Sequence, residues 1–310
     1  YFVSGEDVLI DQGAFEKDNL YWRENRHEKL SENEQGIYEM VDSLKNLPQF
    51  NTILDILTMV VTGYQKIGPV DLGPYFSAIS SDQIEGLRVR LGFRTNKDFS
   101  KRIRLHAYGA YGFLDKKWKY AGGLSYTPKT HLWQTFTLDY KNDFNLESPY
   151  IDEIDQDNLF ALAFRKPIRQ RLIMKETLSC SYNVEWFRGF SSKLTIKEEY
   201  IQPAFAFSYF MDESLHSNIN NTSLGLRFRW SHKEEMIEGS YERVSLGSDY
   251  PMFILDYEKG LGDVLSGNFN YHKMTLTITD NVLLNPFGRV YYTFRAGNSI
   301  GEMPYLLRYC

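Results

Sequence analysis

The sequence predicts an all-β fold, an antiparallel transmembrane outer-membrane β-barrel, and three observations support this prediction. Short segments alternate apolar with polar side chains, which is a strand pattern because successive strand residues point to opposite faces. In several segments arginines share one face while apolar and aromatic residues share the other. Aromatic residues make up 15% of the chain, which is typical of barrels with aromatic girdles at the lipid interfaces.

Residues 1–62 are predicted to be a helical and looped lead-in segment that precedes the barrel. Ser31 is a helix N-cap with Glu34 three residues later, which is the capping-box pattern. Pro48 then ends the helix. Its apolar stripe consists of Ile37, Met40, Val41 and Leu44. Such a stripe packs against its own domain, or contacts a partner or fills a lumen.

The clearest strand lies in EGLRVRLGFRTN, residues 85–96. Its apolar face holds Leu87, Val89, Leu91 and Phe93, and its charged face holds Arg88, Arg90 and Arg94. A barrel in lipid directs apolar side chains outward and charged side chains into its lumen. A soluble sandwich also alternates, but its polar face seldom stacks arginines on adjacent strands. The pattern therefore favours the barrel over a sandwich.

The same alternation continues through RIRLHAYGAY at 102–111, WKYAGGLSY at 118–126 and LWQTFTLDY at 132–140. Their predicted lumen residues include Arg102, Arg104, His106 and Asp139. Further strand-like runs lie at 172–182, 192–200, 204–210, 223–231, 237–245, 252–258, 266–279 and 289–296. Arg227, Arg229 and His272 fall on predicted polar faces of these runs. The meander thus has about a dozen strands, separated by turn residues.

Residues 63–310 are accordingly predicted to form the barrel. Residues 64–81, rich in Gly and Pro, are predicted to be a looped lead into the first clear strand. The acidic stretch at 141–158 is predicted to be a solvated loop, with weak binding of a divalent cation as the alternative. The final residues lack the pattern of a closing strand, so we expect the barrel to be incomplete at the C-terminus.

Charge and motifs exclude several functional classes. The net charge of -5 argues against a nucleic-acid partner. The six histidines are scattered singly, so no metal site is expected. There is no G-x-S-x-G elbow and no phosphate-cradling loop before a helix. We therefore predict no catalytic residues and no cofactor. A site built from a Ser, a His and an acid on different strands, however, leaves no motif in the sequence.

The candidate functional residues are the predicted lumen residues Arg88, Arg90, Arg94, Arg102, Arg104, His106, Asp139, Arg227 and Arg229. Arginine suits charged networks because its planar fork bonds two acceptors. These side chains either attract anionic ligands or a plug, or pair with acids such as Asp139 and hold the wall rigid. Buried charges need partners in both cases.

Several segments together resemble an uncharacterised Gram-negative outer-membrane family in which a carboxypeptidase-regulatory-like β-sandwich precedes a barrel. The resemblance is carried by YWRENRHEKLSENEQGIYEMVDSL, TGYQKIGPVDLGP, IEGLRVRLGFRTN, HAYGAYGFLDKKWKY, YERVSLGSDYPMFILDYEKGL, FNYHKM and AGNSIGEMPYLL. It implies a barrel in the cell outer membrane and a sandwich outside this sequence, but no chemistry. The family is also distantly similar to outer-membrane insertase and two-partner secretion barrels, although their Arg-Gly loop motif is not matched here.

From these observations we expect a non-enzymatic outer-membrane protein that acts in envelope assembly, transport or anchoring. Its partners would be outer-membrane lipid and other envelope proteins. Two alternatives stay open from the sequence. One is a barrel-borne hydrolase of lipid or peptide, and the other is a soluble β-sandwich that binds glycans through its aromatic residues.

Overall fold

The structure is a computed structural model of the chain. It describes residues 31–45, single residues between 47 and 59, and residues 62–82, 84–128, 132–146, 172–211, 214–238, 241, 243–285 and 288–308. Two compact units are present, residues 1–57 and residues 58–310. Most of the acidic stretch at 141–158 lies outside the described residues.

In the first unit the structure describes the helix α1 (Glu32–Lys45). The predicted capping box at its start is confirmed: the backbone N–H of Ser31 donates to Glu34 Oε2 at 2.8 Å, and the backbone N–H of Glu34 donates to Ser31 Oγ at 3.4 Å. The two bonds satisfy backbone donors that have no partner within the helix. No helix in the described part of the chain is both long and apolar enough to cross a membrane.

The second unit is built on one antiparallel sheet of 13 strands. In chain order these strands are β1 (Gln65–Ile67), β2 (Val70–Leu72), β3 (Ile79–Asp82), β4 (Gly86–Thr95), β5 (Ile103–Gly112), β6 (Trp118–Tyr126), β7 (Trp133–Leu146), β8 (Leu172–Phe187), β9 (Phe190–Pro203), β12 (Ile219–Ser231), β15 (Met252–Gly260), β16 (Tyr271–Leu284) and β17 (Gly288–Gly301). The strands follow one another as a meander, and both β2 and β3 pair with β4.

Two small hairpins interrupt the meander. β10 (Tyr209–Met211) pairs with β11 (Ser214–His216), and β13 (Glu235–Glu238) pairs with β14 (Arg243–Gly247). Short 3-10 helices cover Tyr75–Ser77 and Tyr305–Leu307. The hairpins lie in the long connections between β9 and β12 and between β12 and β15.

The two faces of the sheet differ as the sequence predicts. On the outer face apolar side chains are exposed: Leu91 on β4 is 72% exposed and Trp118 on β6 is 67% exposed. On the inner face charged side chains are buried: Lys119 on β6 is 0% exposed and Glu199 on β9 is 3% exposed. This distribution reverses that of a soluble protein. The predicted fold class, an antiparallel all-β barrel fragment, is confirmed, and the described strands do not form a two-sheet sandwich.

The sheet bends toward its inner face. Arg88 on β4 and Asp143 on β7 lie three strand spacings apart in the sheet, yet Arg88 Nη2 is 2.6 Å from Asp143 Oδ2. Three spacings across a flat sheet would be about 14 Å. Two parallel side chains would not close that distance, so the strands between them must curve. Within the described residues no pairing joins β17 to β1.

Several sequence-based boundaries were wrong. The predicted loop at 64–81 contains β1, β2 and β3, and the predicted strand at 204–210 is mostly bend, with only its last two residues in β10. The predicted strand at 237–245 is instead parts of β13 and β14. Residues 141–146, predicted to begin the acidic loop, are instead part of β7, which continues to Leu146.

Candidate functional site: the charged inner face

The first charged network of the inner face centres on Arg88 and Asp143. The Arg88 guanidinium donates to both Asp143 oxygens, at 2.8 and 2.6 Å, and to Glu85 Oε2 at 3.0 Å. The Tyr108 hydroxyl donates to Asp143 Oδ2 at 2.6 Å. Two-point bonding of this kind is the strongest form of arginine–carboxylate contact. It ties β4, β5 and β7 together across the inner face.

Lys119 completes this first network. Its ammonium lies 2.7 Å from Glu85 Oε1 and 2.5 Å from Asp115 Oδ2, and its side chain is fully buried. A buried ammonium is stable only when carboxylates pair with it. Lys119 therefore fixes both the turn before β4 and the turn between β5 and β6.

His106 and Asp139 meet above Gly123. Cross-strand pairing places His106 opposite Gly123 and Gly123 opposite Asp139, and His106 Nε2 is 3.4 Å from Asp139 Oδ1. A Cβ atom on Gly123 would lie 2.0 Å from Asp139 Oδ1 and 2.5 Å from His106 Cε1. The absence of a side chain at Gly123 is what allows the two groups to approach across β6.

We expect Gly123→Ala to destabilise the sheet by about 1 kcal/mol, the lower end of the range for overpacking, because the part-exposed side chains of Asp139 and His106 can move aside. The added methyl group would push His106 and Asp139 apart. The measurement is the midpoint of urea unfolding, followed by tryptophan fluorescence. Gly122→Ala is the matched control, because its Cβ would meet its nearest neighbour at 3.6 Å, an ordinary contact. Equal midpoints for the two variants would contradict this account of Gly123.

A second charged network lies on β8, β9, β12 and β15. Glu199 accepts from Lys175 at 2.6 Å and lies 3.4 Å from the Lys197 ammonium, which is also 3.4 Å from Glu258. Asn221 donates to Glu199 at 3.0 Å. Positive and negative groups on β8, β9 and β15, with the Asn221 amide on β12, thus form one network across four strands.

Next to this network one end of the inner face is apolar. The Tyr271 hydroxyl donates to Glu258 at 2.6 Å, while its ring belongs to a buried cluster. The cluster comprises Ile173, Ile201, Ile219, Phe269, Tyr271, Met303 and Leu307. Met303 and Leu307 come from the segment that follows β17, so that segment packs over the inner face.

The hairpin β13–β14 lies over the opposite end. At its base Arg229 donates to both oxygens of Glu234, and Ser245 donates to the same carboxylate. Burial raises the pKa of Glu234, but the hydrogen bonds from Arg229 and Ser245 outweigh it and hold that pKa below its usual range. The Glu234 carboxylate is therefore charged at neutral pH.

The far side of the hairpin contacts strands from the other half of the sheet. Arg243 donates to Glu185 at the end of β8 at 2.6 Å, and its guanidinium lies 5.0 Å from the ring centre of Trp133 at the start of β7. The Tyr241 hydroxyl donates to the carbonyl of Ser100 between β4 and β5. The connection between β12 and β15 thus reaches across the end of the inner face.

The structure places most of the predicted lumen residues on the inner face. Arg90 stacks on Tyr108 at 3.6 Å from the ring centre, and Arg94 stacks on Tyr64 at 3.7 Å. Arg94 also forms an ion pair with Asp71 at 3.2 Å. Arg104 lies 5.5 Å from the centre of the Tyr241 ring. Arg227 forms an ion pair with Asp256 at 2.5 Å.

Two predicted polar-face residues do not lie on the inner face. Arg102 precedes β5 in an exposed turn. His272 was predicted on the polar face but lies on the outer face, bonded to Tyr257.

Sequence reasoning missed the acids and lysines that complete these networks. Asp143 was assigned to the acidic loop, although it is a buried strand residue that accepts from Arg88. The other missed residues are Glu85, Lys119, Lys175, Lys197, Glu199, Glu234 and Glu258. Strand alternation places Lys119 and Lys197 on the face opposite their apolar neighbours, so the sequence did contain a signal that these two lysines lie on the inner face.

One Ser–His contact lies at a sheet end. Ser214 Oγ is 2.6 Å from His216 Nε2, and the Ser214 hydroxyl also lies 3.0 Å from the carbonyl of Met211, to which it can donate. Tyr209 stacks on the His216 ring at 5.6 Å. No carboxylate among the described residues bonds His216, so the arrangement lacks the acid that orients a catalytic histidine.

Comparison with known proteins gives a family and a distant structural likeness. Residues 63–301 match the C-terminal domain of DUF5686, a family of unknown function. No curated protein matches the chain by sequence. Among solved structures the chain is similar to the crystal structure of BamA from Haemophilus ducreyi lacking POTRA domains 1–3, with a TM-score of 0.43 and 10% identity. That match covers 77% of this chain and 42% of the BamA chain.

Proposed function

This chain belongs to the family of unknown function DUF5686, whose C-terminal domain it carries at residues 63–301, and we propose that this domain is an outer-membrane β-barrel with a non-enzymatic role. That role is in envelope assembly, transport or anchoring. Its partners are outer-membrane lipid and other envelope proteins.

The proposal rests on the reversed distribution of side chains, with apolar side chains exposed on the outer face of the sheet and charged side chains buried on its inner face. Leu91, Trp118 and Phe294 are more than half exposed on the outer face, at 72%, 67% and 58%. A contiguous apolar surface of this kind is unfavourable in water and is suited to acyl chains. The buried ion pairs of the inner face fit a lumen that lipid does not enter.

Strand length supports the same proposal. A barrel strand needs about 9–11 tilted residues to cross a bilayer. The strands β4–β9, β12 and β15–β17 have 9 to 16 residues each, so each is long enough to span the membrane.

Within this proposal the networks are structural and the two ends are the working surfaces. Both charged networks tie strands of the sheet together, as the first one does for β4, β5 and β7. The ends carry the hairpins β10–β11 and β13–β14, which form small sheets of their own. Contacts with cargo or envelope proteins would therefore be made by these connections, while the wall faces lipid.

The experiment is to export the chain behind an added signal peptide and to isolate the outer-membrane fraction. Samples are run on a denaturing gel with and without boiling. The proposal expects a detergent-dependent protein with a band that migrates differently after boiling, because folded barrels resist the detergent until heated. A protein that is soluble without detergent and shows no band shift would overturn the proposal.

Among the described residues, the Ser214–His216 contact is the observation that favours a hydrolase. A fluorophosphonate probe tests it, since an activated serine reacts covalently and an ordinary serine does not. We expect the natural protein and Ser214→Ala to be labelled to the same extent. Labelling that disappears in Ser214→Ala, with lipase or protease activity, would replace the non-enzymatic proposal.

A further inference from the structure

A cavity of about 270 Å³ lies on the inner face where β9, β12, β15 and β16 run side by side, and we propose that it binds a phosphate group. The ligand class is a small phosphate monoester or inorganic phosphate. This inference goes beyond the proposed barrel function and does not depend on which envelope process the protein serves.

The charge of the cavity is the first argument. Its lining includes four basic side chains, Lys193, Lys197, Arg227 and Lys273, and two acidic ones, Asp256 and Glu258. The lining therefore has more basic than acidic side chains, and Lys197 is paired with Glu258 and with the adjacent Glu199. A phosphate monoester carries a charge of about −1.5 to −2 at pH 7, so the positive excess attracts it more strongly than a carboxylate of charge −1.

The placement of Lys193 and Arg227 is the second argument. The two residues are direct cross-strand partners on β9 and β12, and like charges in that position repel each other. Within the described part of the chain Lys193 forms no ion pair, and Asp139 acts on it only from a greater distance. An anion between the two cations would turn this repulsion into attraction.

Arg227 is already oriented for such an anion. Its Nε atom donates to Asp256 Oδ1 at 2.5 Å, which fixes the plane of the guanidinium. Its two terminal NH2 groups keep donors for a second acceptor, and a planar fork of this type matches two phosphate oxygens. Thr195 adds a hydroxyl group to the lining.

The floor of the cavity is Gly225. A Cβ atom built there would meet its nearest atoms, those of Thr195, at 3.8 Å. A larger side chain would therefore fit the strand but occupy the space beside Lys193 and Arg227. The glycine provides a way to close the cavity without removing any charge.

The test is isothermal titration calorimetry on the detergent-solubilised full chain. Inorganic phosphate, glycerol phosphate and acetate are titrated separately at constant ionic strength. Three variants are compared with the natural protein: Lys193→Gln removes a charge, Gly225→Val fills the floor, and Lys259→Gln removes an exposed lysine from the outer face of the neighbouring strand β15.

We expect saturable phosphate binding that weakens about tenfold or more in Lys193→Gln, as for loss of a charge-assisted hydrogen bond, and similarly in Gly225→Val. Lys259→Gln should bind like the natural protein, and acetate should bind more weakly than phosphate. Retained affinity for glycerol phosphate would identify a phosphorylated headgroup or sugar as the source, and loss of it would identify free phosphate.

Equal affinities in all four proteins, an equal loss in Lys259→Gln, or acetate binding as tight as phosphate would overturn the proposal. Folding is checked by the heat shift on a gel. Without phosphate, Lys193→Gln should be at least as stable to urea as the natural protein, because the substitution removes a repulsion. A clear loss of stability would show that Lys193 has a structural role instead.

Discussion

Replacing Lys119 by methionine is expected to lower the free energy of unfolding by about 3–5 kcal/mol, the cost of breaking a buried ion pair. Lys119 is fully buried between the carboxylates of Glu85 and Asp115, at 2.7 and 2.5 Å. Methionine has a similar volume but no charge. Glu85 would keep only Arg88, at 3.0 Å, and Asp115 would lose its ion pair.

Urea unfolding of the protein in lipid vesicles measures this loss. Lys117→Met is the control, because Lys117 is an exposed lysine two residues away in the same chain segment. The control should shift the unfolding free energy by less than about 0.5 kcal/mol. Similar stabilities for the two variants would mean that the Lys119 ion pairs do not hold the wall together.

Replacing Leu91 by arginine is expected to destabilise the protein by about 2–4 kcal/mol, the cost of a positive charge on the lipid face near the bilayer midplane. Leu91 lies in the middle of β4 and is 72% exposed. In water such an exposed position would accept arginine at almost no cost. The size of the effect therefore reports the solvent that surrounds the outer face.

Leu114→Arg provides the matched comparison. Leu114 is 64% exposed, but it lies in the turn between β5 and β6 rather than in a strand. The account expects Leu114→Arg to stay within about 0.5 kcal/mol of the natural protein. If both variants were equally tolerated, the outer face would be facing water.

The strands of the large sheet were predictable because the alternation of apolar and polar residues is a local property of the sequence. In β4 every apolar residue from Leu87 to Phe93 lies on the exposed face, and Arg88, Arg90 and Arg94 lie on the inner face. Strand alternation needs no knowledge of neighbouring strands. His272 was wrongly assigned to the polar face because histidine is a polar residue type. Its spacing from Met274 and Leu276 puts it on the outer face.

The networks were not predictable because their members come from distant strands. Arg88 and Asp143 are 55 residues apart, and only the bending of the sheet brings them together. Asp143 also precedes a run of acids, so local composition favoured a loop. The hairpin β13–β14 was missed because the prediction continued one strand through Gly239 and Ser240, although Gly and Ser are residue types that favour turns.

A fluorophore on Cys180 would report whether the outer face lies in lipid. Cys180 is a free, exposed cysteine on β8, paired with Leu138 and Ile196 of the outer face. In a Cys310→Ser background it would carry a bimane fluorophore, and the protein would be placed in vesicles whose acyl chains are brominated. The account predicts strong quenching by the brominated chains and little by iodide in the buffer. Quenching by iodide alone would place Cys180 in water and contradict the barrel.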